Sequence, residues 1–267
     1  MIVTLLTDFG ASDYFVGAMK GAILAVNPLA RIVDITHEIP AHDVQAGAFT
    51  LLAVYESFPP QTIHLAVVDP GVGSARRPLL IITREHLFIG PDNGLFSYVC
   101  EREAMPPRVY QLTNEKYFRP RVSATFHGRD IFAPIAGALS KGEPPAAFGE
   151  LIDDQMRLAP LAPIHDAPGA WSATIIHIDR FGNCITNITR RELTEEQFAE
   201  GARLEIGGRE INSFRKFYAE EAQRGAGKLF AIWGSAGFLE IAANRASAAR
   251  LLGAARGQLV RLTKRKL

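Results

Sequence analysis

The sequence predicts two domains of different class: an α/β domain built on a mostly parallel sheet, followed by a small all-β barrel. Three observations predict this. Strand-like and helix-like runs alternate through the first half, as in βαβ units. A proline-rich stretch, "RLAPLAPIHDAPGAW", then interrupts all periodicity. Beyond it come only short strand patterns divided by glycine and asparagine turns. The expected boundaries are residues 1–157, a linker at 158–170, and residues 171–267.

The first strand is "MIVTLLT", a continuous β-branched and leucine run that stops at "DFG", as a strand buried on both faces does. "DYFVGAMKGAILAVNP" spaces Phe15, Met19, Ile23 and Val26 as a helix and ends at Asn-Pro. "ARIVDIT" is the second strand. "HDVQAGAFTLLAVYESFPP" reads as a helix with Asp43 near its start and two prolines stopping it. "TIHLAVVD" is the third strand, and "PLLIITREHLFIGPDNG" supplies two more around a turn. In the second half "ATIIHID", "CITNIT", "ARLEIGG", "KLFAIWG", "FLEIAA" and "QLVRLT" are strands.

Bulk composition excludes several classes. With 267 residues, 48% hydrophobic and 21% charged, the chain matches an ordinary globular protein. Its 29 basic and 28 acidic residues give a formal charge of +1, which implies no nucleic-acid partner. The basic tail "RLTKRKL" reads as a solvated end. No run nears the roughly 18 apolar residues that span a bilayer. An aspartate at position 8 comes too early for a signal peptide. Cys100 and Cys184 stand far apart, fitting a reducing compartment, and a cytoplasmic location is expected. No histidine or cysteine spacing matches a zinc site, and no metal is expected.

The polar residues at strand ends carry the chemistry. Ligands of open α/β sheets bind beyond the carboxyl ends of the strands. The first strand ends in Asp8 and the third in Asp69, while Thr36 and His37 follow the second. Aspartates there either cap turns or line a site. The loop "DPGVGSARR" lacks the lysine of a phosphate loop and the spacing of a dinucleotide fingerprint. An arginine seven residues past Asp69 can fold back over it. "TFHGRD" presents His127 ahead of a helical pattern. "IDRFGNCITNI" offers Asp179, a ring at Phe181 and an amide at Asn183. "PDNGLFSYV" reads as a turn followed by a helix. His64, His86, His165 and His177 show no clustering and read as structural or surface residues.

These stretches occur in a fixed order: "LTDFG", "VDPGVGS" with Arg76, "PDNGL", "TFHGRD", "DRFGNCITNI" and "GSAGFLEIAANRASA". In that order, across nearly the whole chain, the sequence resembles the S-adenosyl-L-methionine (SAM) hydroxide adenosyltransferases, relatives of the SAM-dependent fluorinase and chlorinase. The resemblance implies an N-terminal α/β domain, a C-terminal β-barrel, and a homotrimer binding SAM between neighbouring subunits. It implies a water-activating triad of Asp69, Arg76 and His127. It places Asp8 at the ribose hydroxyls, Asp179 at the methionine ammonium, and Phe181 and Asn183 at adenine. Ser235 falls near the methionine carboxylate, Arg245 near main-chain contacts to adenine, and Tyr218 on a looser stacking position. Arg77 adjoins Arg76, and the register from Asp69 favours Arg76.

The implied reaction is hydrolysis of SAM to adenosine and methionine, with SAM as substrate and no cofactor. The halogenases lack such a triad, and the fluorinase carries an insertion near residue 85 that "IITREHLFIGPDNG" lacks; both differences favour water over halide. Two other readings stay open: a SAM or nucleoside sensor without catalysis, and a halide adenosyltransferase.

Overall fold

The computed structural model describes residues 1–220 and 227–264, which divide into two compact units, Met1–Pro160 and Leu161–Leu267. The end of the basic tail, residues 265–267, lies outside the described residues.

The first unit holds a seven-stranded mixed sheet. Its strands are β1 (Ile2–Thr7), β2 (Arg31–Thr36), β3 (Ile63–Val67), β4 (Pro78–Ile82), β5 (Leu87–Pro91), β6 (Arg108–Leu112) and β7 (Gly149–Ile152), in the order β2-β1-β3-β5-β4-β6-β7. The pairs β2–β1, β1–β3 and β3–β5 are parallel; β5–β4, β4–β6 and β6–β7 are antiparallel. The expected mostly parallel sheet is therefore half parallel. "RVYQL" and "GELI", the inner strand β6 and the edge strand β7, have no long apolar run and give no strand signal, and both join antiparallel.

Helix α1 (Phe15–Val26) buries Met19 and Ile23 against one face, where α4 (Ala133–Ser140) also packs. Val3, Leu5, Leu65, Ile89 and Phe132 belong to that core. Helix α2 (Val44–Val54) is capped by the Asp43 side chain accepting from Ala46 N at 2.9 Å. It packs on α3 (Ser97–Arg102), and its C-cap residue Tyr55 meets the alternate strand face through His64 and Phe88. The connection after β1 goes to one neighbour and the connection after β2 returns to the other. The gap between β1 and β3 is thus the sheet's topological switch point, where ligand crevices form.

His64 and His86 do cluster, contrary to the sequence reading. The register Thr4↔His64 sets His64 Nδ1 2.8 Å from Thr4 Oγ1, and the β4–β5 turn brings His86 Nδ1 to 3.3 Å from His64 Nε2. Pairing across strands makes neighbours that linear spacing cannot reveal.

The second unit is an antiparallel, nearly closed barrel-like sheet. Its strands are β8 (Ile164–Ala167), β9 (Ala170–Ile178), β10 (Cys184–Thr189), β11 (Arg203–Ile206), β12 (Arg209–Ile211), β13 (Leu229–Trp233), β14 (Phe238–Ala243) and β15 (Leu259–Thr263). The order runs β12-β11-β15-β9-β10-β14-β13, with β8 on β9. A bridge between Phe214 and Ala231 ties the segment after β12 to β13, joining the two ends of the series. Strand β8 lies within the stretch read as a linker, where the prolines flank the strand and the His165 ring meets Trp171 at 5.1 Å. Two short helices, α5 (Glu195–Ala199) and α6 (Ala248–Leu252), complete the unit. No helix of the described residues is long and apolar enough to cross a membrane.

Candidate active site

The register Thr7↔Val67 sets Asp8 and Asp69 just past the adjacent carboxyl ends of β1 and β3, at the switch point. Asp8 Oδ2 accepts from His42 N at 2.8 Å. Val68 is held by Asn93 of "PDNGL", whose Nδ2 donates to Val68 O at 2.8 Å. That amide, read only as part of a turn, braces the residue before Asp69.

The loop after Asp69 folds back as its glycines permit. Val72 N donates to Asp69 O at 3.2 Å, and Ser74 Oγ donates to Gly71 O at 2.7 Å. Gly73 takes φ +78°, and a Cβ there would overlap the carbonyl of Ala124. A larger residue would therefore push this loop away from the "TFHGRD" segment. The turn returns Arg76 to Asp69. Arg76 Nε donates to both carboxylate oxygens at 3.0 Å, and Nη2 donates to Oδ2. The same Nη2 donates to His127 Nδ1 at 2.8 Å. The Arg76 and Asp69 side chains are 9% and 4% exposed. The guanidinium lies 5.2 Å over the Phe132 ring, and Nη1 is buried without a partner among the described residues.

His127 immediately precedes a π-helical turn, Gly128–Phe132. Phe126 is buried and packs edge-on against Phe9 and Phe15, which fixes the start of that turn. Because an arginine only donates, His127 Nδ1 is the acceptor and the ring proton sits on Nε2. Burial, reinforced by the Arg76 charge, lowers the His127 pKa, so the imidazole is neutral at neutral pH. Asp130 of the same motif is structural: it is fully buried, bonded to Arg129 at 2.7 Å and to Ser123 N at 2.9 Å.

Arg77 points elsewhere. It pairs with Asp92 and Asp154, each at 2.6 Å. Asp92 N donates to Arg77 O, extending the β4–β5 ladder, so alternation sends the side chains of residues 76 and 77 to opposite sides.

The remaining predicted residues lie in the second unit. Asp179 Oδ1 accepts from Phe181 N at 2.9 Å and Asn183 N at 2.8 Å, and Oδ2 accepts from Asn183 Nδ2 at 2.9 Å. This tight turn leaves Phe181 77% exposed and buries Asn183. The turn packs on the segment carrying Arg245 through Ala249 N, which donates to Gly182 O at 2.8 Å. Arg245 is exposed at φ +51°. Ser235 is exposed in the β13–β14 turn. Tyr218 Oη donates to Glu240 Oε2 at 2.7 Å, and Asp179 exerts its charge on both. Glu240 is the residue that sequence reasoning missed here; Phe132 and Asn93 are its counterparts in the first unit. Among the described residues no group of three His, Cys, Asp or Glu side chains is placed to hold a metal ion.

Residues 3–149 match the SAM hydroxide adenosyltransferase N-terminal domain and residues 173–261 the C-terminal domain.

The chain belongs to the SAM hydroxide adenosyltransferase family.

Two relatives of this family, from Methanocaldococcus jannaschii and Thermus thermophilus, are called (R)-S-adenosyl-L-methionine hydrolase. Each is 37% identical, the first over 94% of this chain and 91% of its own, the second over 97% and 98%. A protein called fluorinase from an Actinoplanes species is 27% identical over 72% of this chain and 73% of its own. A solved uncharacterised protein of Thermotoga maritima superposes with TM-score 0.88 at 32% identity, covering 98% of this chain and all of that one.

Proposed function

We propose that the protein hydrolyses SAM to adenosine and L-methionine by in-line attack of water on the ribose 5′ carbon. The observation that carries this reading is the Arg76 guanidinium bridging Asp69 and a neutral His127 at the sheet's switch point. The sulfonium leaves as a neutral thioether, so the leaving group needs no acid and no cofactor. The difficulty is the nucleophile, since water is weak and must be aimed.

The three side chains supply what water lacks. One water proton points at Asp69 and one lone pair faces the 5′ carbon, while His127, accepting from Arg76 Nη2 through Nδ1, holds the guanidinium in place beside them. Holding that line is worth up to about 7–11 kcal/mol in favourable cases. Asp69 takes the proton as oxygen attacks, a contribution of roughly 10²–10⁴ in rate. The C5′–O bond forms while the C5′–S bond breaks, and its electron pair goes to sulfur. The hydroxide-like oxygen gains a lone pair, which the positive charge of the Arg76 guanidinium stabilises.

Substrate binding falls to the other predicted residues. Asp8 holds the ribose hydroxyls, and Asp179 the methionine ammonium. Phe181, Tyr218 and Asn183 hold adenine with the backbone near Arg245, and Ser235 lies at the methionine carboxylate. The exposed rings of Phe181 and Tyr218 support this, because open aromatic faces suit both a flat base and a cation. The protein works as a cytoplasmic homotrimer with SAM held between neighbouring subunits. The (R) sulfonium epimer, named for the relatives, is the expected substrate.

Incubation with each SAM epimer in heavy-oxygen water tests the reading. Heavy oxygen should enter the 5′ hydroxyl of adenosine. Unlabelled adenosine, methylthioadenosine, a halogenated nucleoside when halide is present, or binding without any product would each refute it.

A further inference from the structure

Glu240 stands in the middle of β14 and is 7% exposed. A carboxyl so placed must find partners, and the chain has shaped two. Tyr218 Oη donates to Oε2 at 2.7 Å. The other oxygen, Oε1, fills the space where a Cβ at Gly234 would stand, and φ at Gly234 is ordinary, so the glycine serves fit rather than backbone freedom.

Tyr218 is anchored at its base as well. Arg215 N donates to Ala231 O at 2.9 Å and Ala231 N donates to Ser213 O at 2.8 Å, lashing the segment before Tyr218 to β13. The Arg215 guanidinium stacks 4.0 Å over Phe230, and the Tyr218 ring meets Phe230 edge-on at 6.4 Å. Yet the Tyr218 residue is 50% exposed. A ring fixed at both ends with an open face is a platform, not core filling.

We propose that Glu240 is a positioning residue for substrate binding: its buried carboxyl holds the tip of the Tyr218 ring, so that the ring's open face receives the base of the nucleoside. This rests on the SAM reading for the identity of the nucleoside. Burial and the charge of Asp179 both push the Glu240 carboxyl up, and the phenol bond opposes them. The ionised carboxylate accepts the phenol hydrogen bond more strongly than the protonated carboxyl, but both keep an acceptor oxygen, so the platform stands in either state.

Steady-state kinetics with SAM tests the role. E240A should raise KM about tenfold, equivalent to about 1.4 kcal/mol and in the range of one hydrogen bond, with kcat changed less than twofold. Y218F should do the same, and the double variant should be no worse than either single one. E240Q, whose amide oxygen still accepts, should recover most of the loss. Additive losses in the double variant, or a kcat loss matching the KM change, would overturn the proposal. Ultraviolet titration of the phenol, taken as the difference between wild type and Y218F, reads the pair without substrate. Tyr218 should ionise at lower pH in E240A, because the bond to Glu240 raises its pKa after burial. An unchanged phenol titration would also overturn the proposal. If the protein turned over no SAM while the phenol shift held, the SAM reading would fall alone. Calorimetry with adenosine would then have to show the same non-additivity to sustain Glu240's role.

Discussion

Replacing Asp69 by asparagine keeps the shape of the side chain and removes its charge and basicity. The carboxylate accepts from Arg76 through both oxygens, at 3.0 Å from Nε to each, with both side chains nearly buried. An asparagine presents one acceptor and turns its amide donors toward Arg76, so at least one charge-assisted bond is lost. Such bonds contribute about 1.5–3 kcal/mol. A loss of about 2 kcal/mol in a unit of this size lowers Tm by about 4–8 °C. Turnover should suffer far more, since in the proposed reaction Asp69 takes the water proton: a fall of at least about 100-fold is expected. SAM affinity should stay within about threefold, because in the proposed reaction Asp69 meets the water and not the bound substrate. Chromatographic release of adenosine at saturating SAM, calorimetric SAM binding and a thermal melt together measure all three. Turnover within fivefold of wild type, alongside the expected drop in Tm, would show that the Asp69–Arg76 pair merely braces the loop.

Three further variants probe separate links. Arg77→Ala breaks the bonds to Asp92 and Asp154. It should lower Tm with turnover within twofold of wild type, whereas Arg76→Ala abolishes turnover; the reverse pattern in the adenosine assay would transfer the catalytic role to Arg77. Gly234→Ala inserts a Cβ onto Glu240 Oε1. It should raise KM as E240A does, and an unchanged KM would deny that the fit matters. His64, in the buried pair with His86, has its pKa pushed down to about 3, by burial first and then by the His86 charge. The unfolded chain takes up the proton near pH 6.5 while the folded chain resists it. Stability is therefore complete above pH 6.5 and falls as the pH drops toward 3, by up to about 1.4 kcal/mol per pH unit. Urea melts of wild type and His64→Gln at pH 7 and pH 5 check this, and equal slopes in the two proteins would contradict it.

How much of the site was legible differs from residue to residue. Asp8 and Asp69 were readable because an apolar strand that stops at an acid and a glycine marks its own carboxyl end. The Asp179 turn was readable for the same reason, as its acid, glycine and asparagine all act within five residues. Glu240 was not. In "FLEIAA" a lone glutamate reads as the solvent-facing position of an alternating strand, and only the segment tied down by Arg215 covers it. His64 and His86 looked unrelated for a similar reason, since the β3–β5 pairing and a turn make them neighbours. Strands β6 and β7, which extend the first sheet antiparallel, escaped because neither carries a long apolar run to announce itself.

Local patterning along the chain already shows where most strands of both units begin and stop, that acids stand at the ends of β1 and β3, and which motifs the chain shares with its family. These features follow from side-chain periodicity and from glycine, proline and aspartate acting on their own backbone, which are local effects. The folded arrangement was needed to show that Arg76 and not Arg77 meets Asp69 and His127, that His127 carries its proton on Nε2, and that Tyr218 leans on Glu240. Each of those depends on which distant group lies within hydrogen-bond reach, and that is set by strand register and by how two loops pack, not by any spacing along the chain.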